Sequence, residues 1–387
     1  MTAAADDEGG RPMSTQASHD RIGLGLALRR QHAALLPAFH AALDEIVASG
    51  AFVMGPHVAR LEAALAQRAG VPEAIAVHSG TDALLIALRA LDIGPGDEVI
   101  VPAFTFFATA EAVMLAGATP VAVDVEPVAM MIDPAHAAAR LTPRTRAIIP
   151  VHLYGQCAPI EAIRAAAPGV AIIEDMAQAL DATRGEAPAG SLGDLAAVSF
   201  YVTKNLGALG DGGLLFARTP EAAARARRLR DHGSSRKYFH EEAGFNSRLD
   251  TLQAAFLLAK LEHLDAWTRR RREIARAYDA AFTGLPLELP VEVALNHHVY
   301  HQYTVRTPAR DTLKDHLLEL GIESGIHYPM GLHRMPALRP HVADPEAFPE
   351  ADRAAAEVLC LPIFPEMTDP EVERVIAAVR SGARAER

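Results

Sequence analysis

Short apolar runs and amphipathic stretches take turns along most of the chain. The first amphipathic stretch, 31–49, carries Leu35, Leu36, Phe39, Leu43, Ile46 and Val47 at helical spacing and stops at Gly50. A second follows Gly55-Pro56, with Val58, Leu61 and Leu65 on one face. From there Ile75–Val77, Glu98–Pro102, Pro120–Asp124, Ala147–Leu153 and Val170–Glu174 read as strands. The segments 81–91, 106–116, Pro134–Leu141 and 159–167 read as the helices between them, and Ala196–Tyr201 and Leu214–Ala217 add two more strands. These strands are apolar throughout instead of alternating, the pattern of strands covered on both faces. The predicted fold class is α/β, a mostly parallel sheet wrapped by helices.

A long helical region, 250–283, comes next and includes four consecutive arginines, Arg269 to Arg272, which read as a solvated helix face. After it Tyr300–Arg306, a helix at 310–320, Ser324–Tyr328 and helices near 348–360 and 368–380 predict a smaller α+β domain. The expected division is a large domain over 21–265 and a small one over 266–387. The small and polar residues 1–20 are read as a disordered tail.

Composition narrows the classes of function. Half of the 387 residues are hydrophobic and the net charge is −11, so nucleic acid and anionic membrane are poor partners for this surface. No apolar run reaches spanning length, and no signal peptide is visible. The two cysteines, Cys157 and Cys360, make neither a disulfide framework nor a zinc set, which fits a reducing cytoplasm. His297, His298 and His301 lie close together, but no carboxylate or cysteine stands at matching spacing, so loop polarity or sugar-side contacts are preferred to a metal.

The chemistry concentrates at strand ends. The run Leu195 to Tyr201 hands over to Lys204 at the mouth of a glycine-rich loop with Gly207, Gly210, Gly212 and Gly213. A lysine there is costly unless paired, neutral or covalently used, which makes Lys204 a candidate Schiff-base lysine for pyridoxal phosphate. In S-G-T-D-A-L at 79–84, Gly80 and Thr81 open a helix after a strand, where backbone N–H groups can hold a phosphate or simply be capped. In I-I-E-D-M-A-Q at 172–178, Asp175 ends a strand where a carboxylate can face the cofactor's ring nitrogen, and Gln178 can reach its phenolic oxygen. Phe104 in P-A-F-T-F could stack on a flat ring or pack in the core. Asn246 and Arg248 sit on a turn before a long helix.

Taken together, SGTDALLIALRALDIGPGDEVIVPAFTF, TRAIIPVHLYGQ, IIEDMAQ, SFYVTKNLGALGDGG, NSRLDTLQAA and GIHYP resemble the DegT/DnrJ/EryC1/StrS family of sugar aminotransferases, pyridoxal phosphate enzymes of fold type I. The resemblance runs from about residue 25 to 380. It implies that Lys204 carries the cofactor, that Asp175 partners its ring nitrogen, and that Gln178 lies near its O3′. It sets Phe104 in the ring-stacking place and makes Gly80, Thr81 and Ser199 phosphate ligands. Asn246 resembles an asparagine donated to the phosphate by a second subunit, which implies a homodimer with shared sites. Tyr201, His327 and Tyr328 resemble positions facing the sugar. The implied reaction moves an amino group from an amino acid, glutamate by preference, to a nucleotide-linked keto-sugar. The loop N-L-G-A-L-G-D-G-G resembles that of members acting at C3 of a dTDP-3-keto-6-deoxyhexose. Amination at C4, a sugar dehydrase or lyase reaction, and a non-enzymatic regulatory dimer are the alternatives.

Overall fold

The structure is a computed structural model that describes residues 21–383; the tail read over 1–20 lies outside the described residues. Helices α1 (Leu24–Ser49) and α2 (Pro56–Ala69) come first. A seven-stranded sheet follows: β1 (Glu73–Val77), β2 (Glu98–Pro102), β3 (Thr119–Val123), β4 (Thr145–Ile148), β5 (Ala171–Asp175), β6 (Leu195–Ser199) and β7 (Gly213–Ala217). Their order across the sheet is β1-β7-β6-β5-β4-β2-β3. Only β7 runs antiparallel to its neighbours, pairing Ser199 with Gly213 on β6 and Val77 with Gly213 on β1. A parallel neighbour needs a crossover, usually a helix, and the glycine-rich segment 200–212 forms none, so the chain turns straight back. The other six strands point their C-terminal ends the same way. That edge is where open α/β sheets bind ligands.

Every residue of β2 is buried, and α3 (Gly80–Ala90) is buried almost all round because it lies between the sheet and other helices. Ser79 caps α3: its Oγ accepts the Asp82 N–H at 3.1 Å. The strand expected over Ala147–Leu153 is shorter than the apolar run, because Tyr154 (φ 58°) and Gly155 (φ 121°) already turn the chain and pull Leu153 into a 3-10 turn.

Beyond the sheet the elements differ from the expected ones. The helical region 250–283 is two helices, α4 (Thr251–Leu261) and α5 (Leu264–Phe282), broken at Glu262-His263. Residues Ser324–Tyr328 form no strand beyond a bridge from Gly325 to Cys360. The helix near 348–360 stops at Glu357, and Val358–Leu361 is instead strand β9, paired antiparallel with β8 (Tyr303–Arg306). The β-branched and apolar V-L-C-L run is completely buried against β8, and this burial outweighs helix continuation.

The arginine run is not a solvated face. Arg271 is buried, and its Nη1 donates to the carbonyls of Tyr300 (3.1 Å), His301 (3.4 Å) and Ile363 (2.7 Å). Arg272 donates to the His298 carbonyl at 2.7 Å and Arg270 to that of Met367 at 2.9 Å. Arg270, Arg271 and Arg272 therefore stitch α5 to two segments that follow it, 298–301 and 363–367, while Arg269 is exposed. Ile274, Tyr278, Phe282, Tyr303, Leu359 and Val379 form a cluster separate from the sheet's core. We propose the division near 266 as the start of that second lobe. Ile22 and Ala27 join it from the N-terminal side, while Phe348 and Ala351 pack on the sheet's core.

Candidate active site

The C-terminal edge of the sheet carries a cavity of about 510 Å³, lined by Ser79, Gly80 and Thr81 from α3, Asp175, Gln178, Ser199, Lys204 and Tyr328 among others. Next to it lies a second chamber of about 410 Å³ between α1, the segment 201–204, Arg271 and the second lobe. Tyr201, Thr203, Lys204, His301, Gln302 and His327 line both. Lys204 is thus in the wall common to two adjacent spaces.

Lys204 sits on a tight loop. Its backbone N–H donates to the Tyr201 carbonyl at 2.8 Å, and Ala208 N–H returns to the Phe200 carbonyl at 2.8 Å. The chain folds back so closely that a Cβ on Gly207 would lie 2.4 Å from the Val202 carbonyl oxygen, so only glycine fits. Asn205, next to the lysine, is held by His301, whose Nδ1 is 3.0 Å from Asn205 Oδ1.

Asp175 and Glu174 point to opposite faces of β5, as neighbours on a strand must. Asp175 faces the cavity. Its Oδ2 accepts Thr109 Oγ1 at 2.8 Å and its Oδ1 accepts Ala177 N–H at 3.2 Å, which fixes the carboxylate and leaves lone pairs for a third partner. Glu174 faces the other way and takes His152 Nε2 at 2.7 Å and the N–H groups of Gly190, Leu192 and Gly193. Burial would raise the Glu174 carboxyl, but these donors outweigh it and hold it below the usual range. Gln178 is oriented at both ends: Oε1 accepts Tyr154 N–H at 2.6 Å and Nε2 donates to Tyr328 Oη at 3.1 Å.

Electrostatics separates the two ionisable groups. Burial pushes Asp175 up, opposed by the Thr109 and Ala177 bonds and by Lys204. Burial also pushes Lys204 down to about 8, opposed by the Asp175 charge. A lysine amine brought near neutral pH is suited to nucleophilic and proton-transfer work. Burial, then the Lys204 charge, lowers His327 as well, so its imidazole faces the cavity neutral.

Gly80, Thr81, Asp175, Gln178, Ser199, Tyr201, Lys204, His327 and Tyr328 all meet around these two spaces. Phe104 does not. It is 1% exposed in the sheet's core, with its ring edge toward Tyr328. The aromatic wall of the cavity is Phe106, two residues on, with its ring 5.9 Å from that of Tyr328. Both stand in the same F-T-F, and the sequence holds no signal that separates them. Asn246 is outside the cavity, exposed, with its Oδ1 accepting Arg248 Nη2 at 2.6 Å. Thr109 and Gln302 were not legible as site residues, because each comes from an element whose role here depends on docking, while His301, read for loop polarity or sugar-side contacts, lines both cavities. The histidine cluster is split. His298 stacks on Tyr300 and its Nδ1 accepts Tyr300 N–H at 2.9 Å, while His301 turns to Asn205. Among the described residues no group of three or more His, Cys, Asp or Glu could hold a metal, and no helix is long and apolar enough to cross a membrane.

The donor set fits pyridoxal phosphate. A Cβ on Gly80 would lie 2.8 Å from Cβ of Ser199, and one on Gly213 would lie 2.2 Å from the Ser79 carbonyl oxygen. The α3 N-terminus is therefore an open backbone cradle, where N–H groups and the helix dipole favour a phosphate. An amine, a buried carboxylate with spare lone pairs and an exposed aromatic ring surround the rest of the space. Fold and site together define a fold type I pyridoxal phosphate-dependent transferase. The chain belongs to the DegT/DnrJ/EryC1/StrS aminotransferase family, whose model matches residues 36–380. It is a sugar aminotransferase of that family, and pyridoxal phosphate is its cofactor.

Among its relatives is a "pleiotropic regulatory protein" of Geobacillus stearothermophilus, 45% identical, with 92% of this chain and 96% of the relative covered. The dTDP-3-amino-3,4,6-trideoxy-alpha-D-glucose transaminase of Streptomyces venezuelae is 43% identical, covering 96% and 98%. The crystal structure of S. venezuelae DesV in complex with a ketimine intermediate superposes with a TM-score of 0.90, at 44% identity, covering 92% of this chain and 97% of that one.

Proposed function

We propose that this enzyme moves an amino group from glutamate to the C3 ketone of a dTDP-3-keto-6-deoxyhexose, a step of deoxysugar biosynthesis. What carries the reading is the position of Lys204: its side chain lines both the cradle cavity and the second chamber, so one amine serves cofactor and substrates. The name of the S. venezuelae transaminase and the N-L-G-A-L-G-D-G-G loop support the sugar and the carbon.

When bound, the cofactor supplies an electron sink for the pair released at the substrate carbon. Lys204 holds the cofactor covalently between turnovers, then carries a proton to and from the substrate carbon as general base and acid. Asp175, fixed by Thr109 and Ala177, keeps a proton on the ring nitrogen. Gln178, oriented by the Tyr154 N–H, offers its Nε2 to the cofactor's O3′. Gly80, Thr81 and Ser199 bind the phosphate. Phe106 offers a ring face, while Tyr201, His327 and Tyr328 bound the space for the sugar. Asn246 points outward on an exposed turn, from which it would serve a second subunit's phosphate in a homodimer. Sedimentation equilibrium is expected to give the mass of two chains; a monomer would remove that role.

The test offers glutamate with a panel of dTDP- and UDP-linked 3-keto- and 4-keto-sugars and reads products by mass spectrometry. Glutamate-dependent amination of the dTDP-3-keto-6-deoxyhexose is expected, with parallel initial-rate lines. Amination at C4 alone, or loss of a sugar hydroxyl without amino transfer, would overturn the proposal.

A further inference from the structure

One buried charge takes no part in the chemistry above. Lys260, on α4, is 0% exposed, yet it touches no carboxylate. Its Nζ donates to the Gly207 carbonyl at 2.6 Å and lies 2.8 Å from Nε2 of His32 on α1. An ammonium has only donors, so Nε2 of His32 is the acceptor in this contact. Burial and the Lys260 charge hold His32 down to about 4, consistent with an uncharged acceptor.

Gly207 is three residues beyond Lys204, in the loop that only glycine allows to close. A second side chain of α4 grips the same loop: Gln253 Oε1 accepts Leu209 N–H at 2.8 Å and its Nε2 donates to the Leu209 carbonyl at 3.2 Å. Residues 253 and 260 are seven apart, hence on one face of the helix. A hydrogen bond from an ammonium is shorter and stronger than a neutral one, and burial lowers Lys260 to about 8, opposed only by the charge of Glu366, with which it makes no salt bridge, so its place here needs a reason. His32 adds a further link. Leu24, Ala27, Leu28 and Gln31 of its helix wall the second chamber.

We propose that Lys260 is a positioning residue for Lys204: bonded to the Gly207 carbonyl on one side and to His32 on the other, it clamps the lysine loop to α1, the wall of the substrate chamber. Without it the Gly207 carbonyl loses its donor inside the protein, the loop from Tyr201 to Leu209 loosens, and the amine of Lys204 is no longer held at one height over the cradle. Reaction geometry then suffers more than binding does. The inference rests on the assignment of Lys204 above. Borohydride trapping on the unmutated enzyme tests that assignment, whereas loop exchange tests the clamp whether or not trapping succeeds.

The experiment compares the full-length protein with Lys260→Met, His32→Leu and His32→Gln, with and without pyridoxal phosphate. Methionine keeps the length and removes the donor. Amide hydrogen exchange over 201–209 is expected to quicken roughly tenfold or more in Lys260→Met while the sheet strands exchange as before. The kcat should fall about tenfold or more, with the KM for both substrates changed less than about threefold. His32→Leu should move both readouts the same way, and His32→Gln, which keeps an acceptor, should restore most of the loop's protection. Loop exchange and kcat within about twofold of the unmutated enzyme in Lys260→Met would overturn the proposal. Exchange that rises equally in the loop and the sheet would also overturn it, since that is a purely structural role. If Lys260→Met does not fold, His32→Leu decides alone, and unmutated behaviour there overturns the clamp.

Discussion

Replacing Lys204 with alanine is expected to leave a folded protein whose turnover is at least about 10⁴-fold slower, because covalent capture and proton transfer are lost with one amine. Lys204 is the only lysine among the residues lining either cavity, so nothing there can substitute. Its side chain lines the cavities, so the fold should survive. Borohydride treatment of the cofactor-loaded enzyme should fix the cofactor's mass on a peptide containing Lys204, and on none in the variant. Trapping elsewhere, or turnover in the variant within about tenfold of the original, would refute the assignment. A pH profile carries the sign of the shift. The nucleophile is the neutral amine, and burial lowers Lys204 to about 8. Capture of pyridoxal phosphate by the cofactor-free protein should therefore rise with pH and level off just above 8, not near the usual 10.5 of a lysine.

Asp175→Asn should lower the rate of single-turnover amination by roughly 10²- to 10³-fold, the scale of losing one preorganised electrostatic partner. The amide has the carboxylate's shape. It can still accept from Thr109 or Ala177, so little stability should be lost. What it lacks is the charge that keeps a ring nitrogen protonated. The substitution also bears on Lys204. The Asp175 charge raises the lysine against the desolvation that lowers it. Its removal should shift the capture plateau to lower pH, even as amination slows. A rate within about threefold of the original, or a plateau that moves upward, would separate Asp175 from both roles.

Legibility followed range of interaction. Glu98–Pro102 has the bounds read from its apolar run, and the other sheet strands lie within a few residues of theirs, because apolar residues without alternation suit only strands buried on both faces. The lysine and the aspartate were readable for a related reason. A charged residue at or a few residues beyond the end of such a strand is unusual enough to need an explanation. Phe104 and Phe106 show the limit. Both are aromatic, both follow β2, and which of them enters the cavity depends on how 103–107 turns before the helix at Ala108–Leu115. The arginines of α5 show it again. A run of four charges reads as solvated, yet carbonyls of residues 300, 301 and 363, distant in sequence, converge on Arg271.

By itself the sequence determined most of the sheet, since burial of local apolar runs decides it, and through its family resemblance it singled out Lys204 and Asp175 as candidates. Only the tertiary structure decided which aromatic of F-T-F lines the cavity, how Thr109 and Tyr154 hold Asp175 and Gln178, and that Lys204 lines two adjacent spaces. Those outcomes arise where segments far apart in the chain meet, and the burial that brings Lys204 to about 8 exists only once they have met.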